Sequence, residues 1–234
     1  YVESDDAVRF IYVPRDEHAD HAFLIDTLLG QRTTAPDLPA DPLLAQPRGR
    51  LHFLFHSAFC GSTLLARALS VKGVAMGLSE PAILNDVVGF RRRGASPPAV
   101  ARAADLALRL LGRPFAPGEA VIVKPSNVLN PLAELLLALE EQSQALFLYA
   151  PLETFLISVA RKGLHCRAWV RELLEGFVQD NFVHLGFAPN DYFRLTDLQV
   201  AAVGWLAQHQ YFTSLAARTG RRLASLDADR LTAS

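Results

Sequence analysis

Short apolar runs alternate along the chain with longer tracts whose apolar residues recur three and four positions apart. Such runs, bounded by glycine or proline, read as buried strands, and the wider spacing reads as helices packed on them. The runs are LHFLF (51–55), GVAMG (73–77), AVIVK (120–124), ALFLY (145–149) and RLASLD (222–227), while VRFIYV (8–13) alternates in the manner of a strand. Helical spacing covers ADHAFLIDTLLG (19–30), residues 62–70, SEPAILNDVV (79–88), AVARAADLALRLLG (99–112), NPLAELLLALEEQ (130–142) and LETFLISVARKG (152–163). Two long helical tracts follow, near 165–184 and 195–219. Gly30, Gly112 and Gly163 are expected to close helices, Ser79 and Pro81 to open one, and Pro125 to stop a strand. Residues 31–50 hold Pro36, Pro39, Pro42 and Pro47 without any period and read as a linker; RRRGASPP (91–98) reads as a charged loop.

Apolar strands alternating with helices predict an α/β three-layer sandwich with a mainly parallel central sheet, helices on both faces and the 51–55 strand central. The expected organisation is an N-terminal strand, helix and proline-rich linker over 1–50, packing on one domain over 51–234 with a helical insertion at about 165–219.

Composition narrows the function classes. Of 234 residues, 50% are hydrophobic and 20% charged, with a net charge of −1, so no global basic field points to nucleic acid or a membrane surface. No run approaches the ~18 apolar residues of a membrane span. The opening YVESDDAVRF lacks the basic-then-apolar order of a signal peptide, and a cytoplasmic location is expected. Cys60 and Cys166 alone give no disulfide framework, and with seven scattered histidines no metal site is expected. Among 23 basic residues only Lys72, Lys124 and Lys162 are lysines, so each lysine's position matters.

The stretch LHFLFHSAFCGSTLLARALS (51–70) joins a strand to a helix through a glycine turn. Set against a phosphate-binding loop, Gly61 and Thr63 fit, but His56 stands for the first glycine and Ser62 for the lysine. Gly61 still lets backbone approach an oxyanion, the amides of Ser62, Thr63 and Leu64 open a helix, and two hydroxyls add donors. Such a loop can hold phosphate or sulfate without a lysine. The competing reading is a tight strand-to-helix turn with an ordinary serine cap.

A glycine followed by two hydroxyl residues and leucines, after an apolar strand, resembles the 5′-phosphosulfate loop of the P-loop sulfotransferases. Three later features occur in the same family order. GLSEP (77–81) resembles the segment supplying a carboxylate base, VIVKPSN (121–127) the strand with a lysine-containing active-site loop, and LFLYAPLETFLISVARK (146–162) the strand-loop-helix that binds the 3′-phosphate. LASLDADRL (223–231) resembles the family's late strand. The resemblance implies a P-loop-type fold, 3′-phosphoadenosine 5′-phosphosulfate as co-substrate, and a small-molecule acceptor without nucleic acid, membrane or metal. It leaves oligomeric state open. It also implies a C-terminal nucleotide loop, which this sequence stops short of.

The sequence departs from the family at three places. Phe59 stands where a lysine or arginine lies two residues before the loop glycine, Ala150 where an arginine holds the 3′-phosphate, and Ser126 where the cytosolic branch has its histidine. The implied catalytic residues are therefore Glu80 as base, Lys124 as the cation at the carboxyl edge of its strand, and His56. The implied cofactor-binding residues are Cys60, Gly61, Ser62, Thr63, Leu64, Ser158 and Arg161. Lys124 and Glu80 are expected on opposite walls of a cleft.

Bland readings stand beside these. Glu80 suits the first turn of a helix, Lys124 a strand end, and Arg161, Lys162, Arg167 and Arg171 a solvated helix junction, although one of the four could replace the lost arginine. Arg91–Arg93 read as a solvated charge run, and His52 as a satisfied strand residue. Trp169, Phe193 and Trp205 read as core. Two functional alternatives remain: a P-loop kinase of a small metabolite, and a degenerate nucleotide- or anion-binding domain without catalysis.

Overall fold

The computed structural model describes residues 1–18, 21–30, 35–47 and 49–231, apart from the Arg221 side chain. Its strands are β1 (Ala7–Val8), β2 (Leu38–Pro39), β3 (Leu51–His56), β4 (Ala75–Ser79), β5 (Ala120–Lys124), β6 (Ala145–Tyr149) and β7 (Leu223–Asp227). Its helices are α1 (Arg15–His18), α2 (Asp26–Leu29), α3 (Ala40–Leu44), α4 (Ser62–Ala68), α5 (Ala82–Arg92), α6 (Pro97–Leu111), α7 (Ala133–Leu139), α8 (Leu152–Arg161), α9 (Gly163–Gln179) and α10 (Asp197–Thr219). The last five strands form one sheet in the order β4-β5-β3-β6-β7, flanked by helices, with β3 central as its apolar run predicts. β3 pairs parallel with β5, β4 with β5, and β6 with β7. Among the described residues no helix is long and apolar enough to cross a membrane.

The chain divides into two compact units, Tyr1–Leu54 with Thr63–Gln144, and Phe55–Ser62 with Ala145–Ser234. In the first unit Val8, Ala40 and Leu43 of the N-terminal elements bury themselves with Leu106 of α6, flanked by Tyr1, Phe10 and Ile83. Arg102 on α6 holds the same elements through Asp6 and Asp41, each at 2.7 Å.

Several expected boundaries shift, for local reasons. The strand expected over 8–13 shortens to β1; continuing its antiparallel register with β2 sets Phe10 opposite Pro36, which has no N–H to extend the ladder. The helix expected over 19–30 is reduced to α2, preceded by a bent, non-helical stretch over 21–25, with Ala19 and Asp20 outside the described residues. In that stretch the Leu24 amide donates to Ser79 O (2.7 Å), and Leu24 O accepts from Ala82 N–H (3.0 Å). The linker over 31–50 contains β2 and α3, while 31–34 and 48 lie outside the described residues.

The second sheet strand starts at Ala75 instead of Gly73. Gly73 takes a left-handed turn (φ 83°), and its amide donates to the buried Glu119 carboxylate (2.6 Å). Ser79 consequently ends β4, and its hydroxyl donates to Ala22 O (2.7 Å) instead of capping a helix. Arg91 and Arg92 belong to α5, not to a loop, and Arg93 pairs with Glu3. Pro131 falls in a 3-10 turn over Asn127–Leu132 that precedes α7.

The core of the second unit is aromatic. Phe147 stacks on Phe212 with centroids 4.1 Å apart, and Phe55 packs on the same ring at 5.3 Å. His209 lies between Trp205 (3.5 Å), Tyr149 (4.7 Å) and Phe147 (5.4 Å). Burial in this apolar box pushes its pKa from 6.5 down to about 4, with Asp227 opposing the shift. The folded state therefore prefers neutral His209, while the unfolded chain protonates it below about 6.5. Stability from this group is complete above pH 6.5 and is lost as the pH falls towards 4. Urea unfolding followed across this window should show stability falling with acidity, and His209→Phe should flatten that slope; an unchanged slope in the variant would contradict the assignment.

Candidate functional site

The loop after β3 is held in shape from both ends. His56 Nδ1 accepts from the Ala58 amide (3.1 Å), which places the ring proton of the neutral imidazole on Nε2. Leu148 O accepts from the Ser57 amide (3.1 Å) and from the Cys60 thiol (3.4 Å), so one carbonyl of β6 pins two points of the loop. Ala58, Phe59 and Gly61 all take left-handed backbone angles, with φ of 72°, 51° and 76°. Two of these are not glycines, a local strain that persists only when the surroundings impose it. A Cβ at Gly61 would meet no atom within 4 Å, so its backbone angle, not crowding, calls for glycine.

From Ser62 the chain turns directly into α4. Ser57 and Ser62 are buried, Thr63 is half-buried, and Leu64 is exposed. Cys60 is buried with its thiol donating to a carbonyl, which fits an anchor better than a nucleophile.

Phe59 explains its own departure from a basic residue. Its ring packs against Phe155 of α8 (5.7 Å) and edge-on against Trp169 of α9 (5.5 Å). Lys162 Nζ lies 5.4 Å from its centroid. Ala150 is equally constrained: it is fully buried, and its carbonyl accepts from Trp205 Nε1 (2.9 Å). An arginine side chain has no room there. Ser158, on α8, donates its hydroxyl to Thr154 O (2.9 Å) one turn back, and Arg161 is exposed at the end of that helix. Arg171 is committed to Asp197 (2.7 Å) and Leu195 O (2.9 Å), which leaves it a structural role.

In the first unit the structure brings Glu80 and Lys124 together. Ser79 is in register with Lys124 across β4 and β5, and the Glu80 amide donates to Lys124 O (2.6 Å). Glu80 takes φ 49°, which turns its side chain back on to its neighbour. The Lys124 ammonium donates to Glu80 Oε1 and lies 5.1 Å from the centroid of Phe23. The two groups are thus bonded directly, in place of the opposite walls expected. The lysine side chain is 1% exposed and the glutamate 16%. Phe23 was not singled out from the sequence, because only the bonds of residues 22–24 to the end of β4 carry it there.

His52 is a satisfied residue as read: its Nδ1 accepts from the Gln144 amide (3.0 Å), and burial, with Arg50 nearby, holds its pKa below the usual range.

No family model matches the sequence, and no curated protein matches it. Among solved structures the chain is similar to the sulfotransferase domain from the curacin biosynthetic pathway, with a TM-score of 0.50 and 16% identity. The match covers 80% of this chain and 69% of that one. The fold is sulfotransferase-like. At this identity the likeness speaks for the fold alone, and the residues of the site have to be argued from their own geometry.

The buried ion pair sets a consequence for stability. Removing one partner of such a pair leaves an uncompensated charge and costs about 3–5 kcal/mol. Lys124→Ala should therefore lower the unfolding free energy by about that amount, whereas the double variant Lys124→Met with Glu80→Gln should recover most of it. Urea midpoints of the single and double variants decide this; equal losses in both would mean that the pair is not coupled.

Proposed function

We propose that the protein is a sulfotransferase-like enzyme, moving a sulfuryl group from 3′-phosphoadenosine 5′-phosphosulfate to a hydroxyl or amine of a small acceptor. The observation that carries this reading is the pinned, left-handed loop from His56 to Gly61, feeding directly into α4, within a sulfotransferase-like fold. Its donor set suits the group: backbone amides from Gly61 to Leu64, with the Ser62 and Thr63 hydroxyls, match tetrahedral oxyanions without any metal. The nucleotide would supply the activated sulfuryl group. The chain's part in holding the donor is to fix the oxyanion on preorganised amides, which is how such sites lower a barrier.

Glu80 is the candidate general base and Lys124 the cation beside it. A carboxylate has acceptor sites for several hydrogen bonds, so pairing with Lys124 leaves Glu80 chemically able to accept an acceptor's proton. Residues 22–24 lie across the end of β4, and Phe23 covers Lys124, so this segment is the part of the first unit that an acceptor would have to meet. A second reading, an anion-binding domain without turnover, draws on that same closure of Lys124 beneath Phe23 and Glu80.

Thermal-shift and calorimetric titrations separate the readings. The expected result is stabilisation by 3′-phosphoadenosine 5′-phosphate and none by ATP with magnesium, together with sulfuryl transfer that Glu80→Gln, assayed at a temperature where the variant is shown to be folded, reduces by about 10²-fold or more while binding persists. Binding without turnover against a panel of hydroxyl and amine acceptors would favour the second reading. No response to the bisphosphate would overturn the first.

A further inference from the structure

We propose that Lys162 supplies the positive charge that the loop itself lacks, binding the oxyanions held at the amides after Phe59; this rests on the loop being the donor site proposed above. Between His56 and Ser62 no lysine or arginine occurs, yet a phosphosulfate or phosphate brings at least one full negative charge. The protein has three lysines. Lys124 is buried against Glu80, and Lys72 lies exposed in the turn after α4. Lys162 is exposed, and its ammonium stands 5.4 Å from the ring of the residue two before Gly61.

Its placement is built, not incidental. Phe59 is clamped by Phe155 and Trp169, one from α8 and one from α9, and Lys162 sits at the joint between these helices. Gly163, with φ 73°, breaks the helical path and lets the lysine cap α8 while α9 begins. The first turn of α9 carries no acidic residue, and among the described residues Lys162 forms no ion pair. Lys162 serves two helix ends at once: as the cap of α8 its charge complements that helix's dipole, and at the start of α9 it opposes the dipole there. Contact with an aromatic face restrains the ammonium electrostatically while leaving N–H donors for a ligand. Phe59 thus replaces a charge in the loop with a ring that holds a charge from outside it.

The test uses Lys162→Met, Lys162→Arg and, as a control for net charge, Lys72→Met, each checked for an unchanged thermal midpoint. Calorimetry with 3′-phosphoadenosine 5′-phosphate should show about tenfold or weaker binding for Lys162→Met, recovery to within a few-fold in Lys162→Arg, and no change in Lys72→Met. Independently of any variant, acetylation of the wild-type protein followed by mass spectrometry should find Lys162 protected by the bisphosphate and Lys72 unprotected. Wild-type binding combined with wild-type affinity in Lys162→Met, or equal acetylation of Lys162 with and without ligand, would overturn this inference alone. A wild-type protein that binds no bisphosphate would overturn the donor-site reading with it.

Discussion

A buried ammonium has to be neutralised where it stands, and in the first unit that requirement organises the end of the sheet. Taking Lys124 out of water costs several kcal/mol, recovered only with a well-placed counter-charge. The counter-charge is available because β4 and β5 run parallel in a register that sets Ser79 beside Lys124. Glu80 then accepts a left-handed backbone angle that returns its carboxylate to the lysine. The N-terminal stretch completes the enclosure, bonded to both sides of the β4 turn and laying Phe23 over the ammonium. One ion pair thereby links strand register, local strain and the path of residues 22–24.

The second unit solves a different problem, how to keep the loop after β3 shaped without charged side chains inside it. Leu148 O holds Ser57 and Cys60, and the His56 ring holds Ala58. Aromatic packing does the rest, with Phe59 between Phe155 and Trp169, and Trp205 closing the Ala150 carbonyl. Both departures from the family pattern at 59 and 150 are thus packed residues, and the cations of this region sit at the α8–α9 joint.

The strands at 51–55, 120–124 and 145–149 were legible because each is a continuous apolar run ended by a turn or a proline, a signal that survives without tertiary information. The start of β4 was not, since it depends on Glu119, 46 positions from Gly73, capturing that amide. The N-terminal helix expected over 19–30 failed because hydrogen bonds to the β4 turn compete with helical ones in residues 22–24. Within the site, Gly61 and the hydroxyls after it could be read from local sequence. The direct Glu80–Lys124 bond could not, because it joins residues 44 positions apart through a register that only the assembled sheet defines.

The central claim is that the loop holds the donor's oxyanions on its backbone, and a crystal structure of the protein with 3′-phosphoadenosine 5′-phosphate tests it most directly. The account predicts the 5′-phosphate on the amides of residues 61 to 64, with the loop angles at Ala58, Phe59 and Gly61 unchanged. A bisphosphate bound elsewhere, or a loop whose amides are closed off by a neighbouring side chain with the ligand present in the crystal, would contradict it.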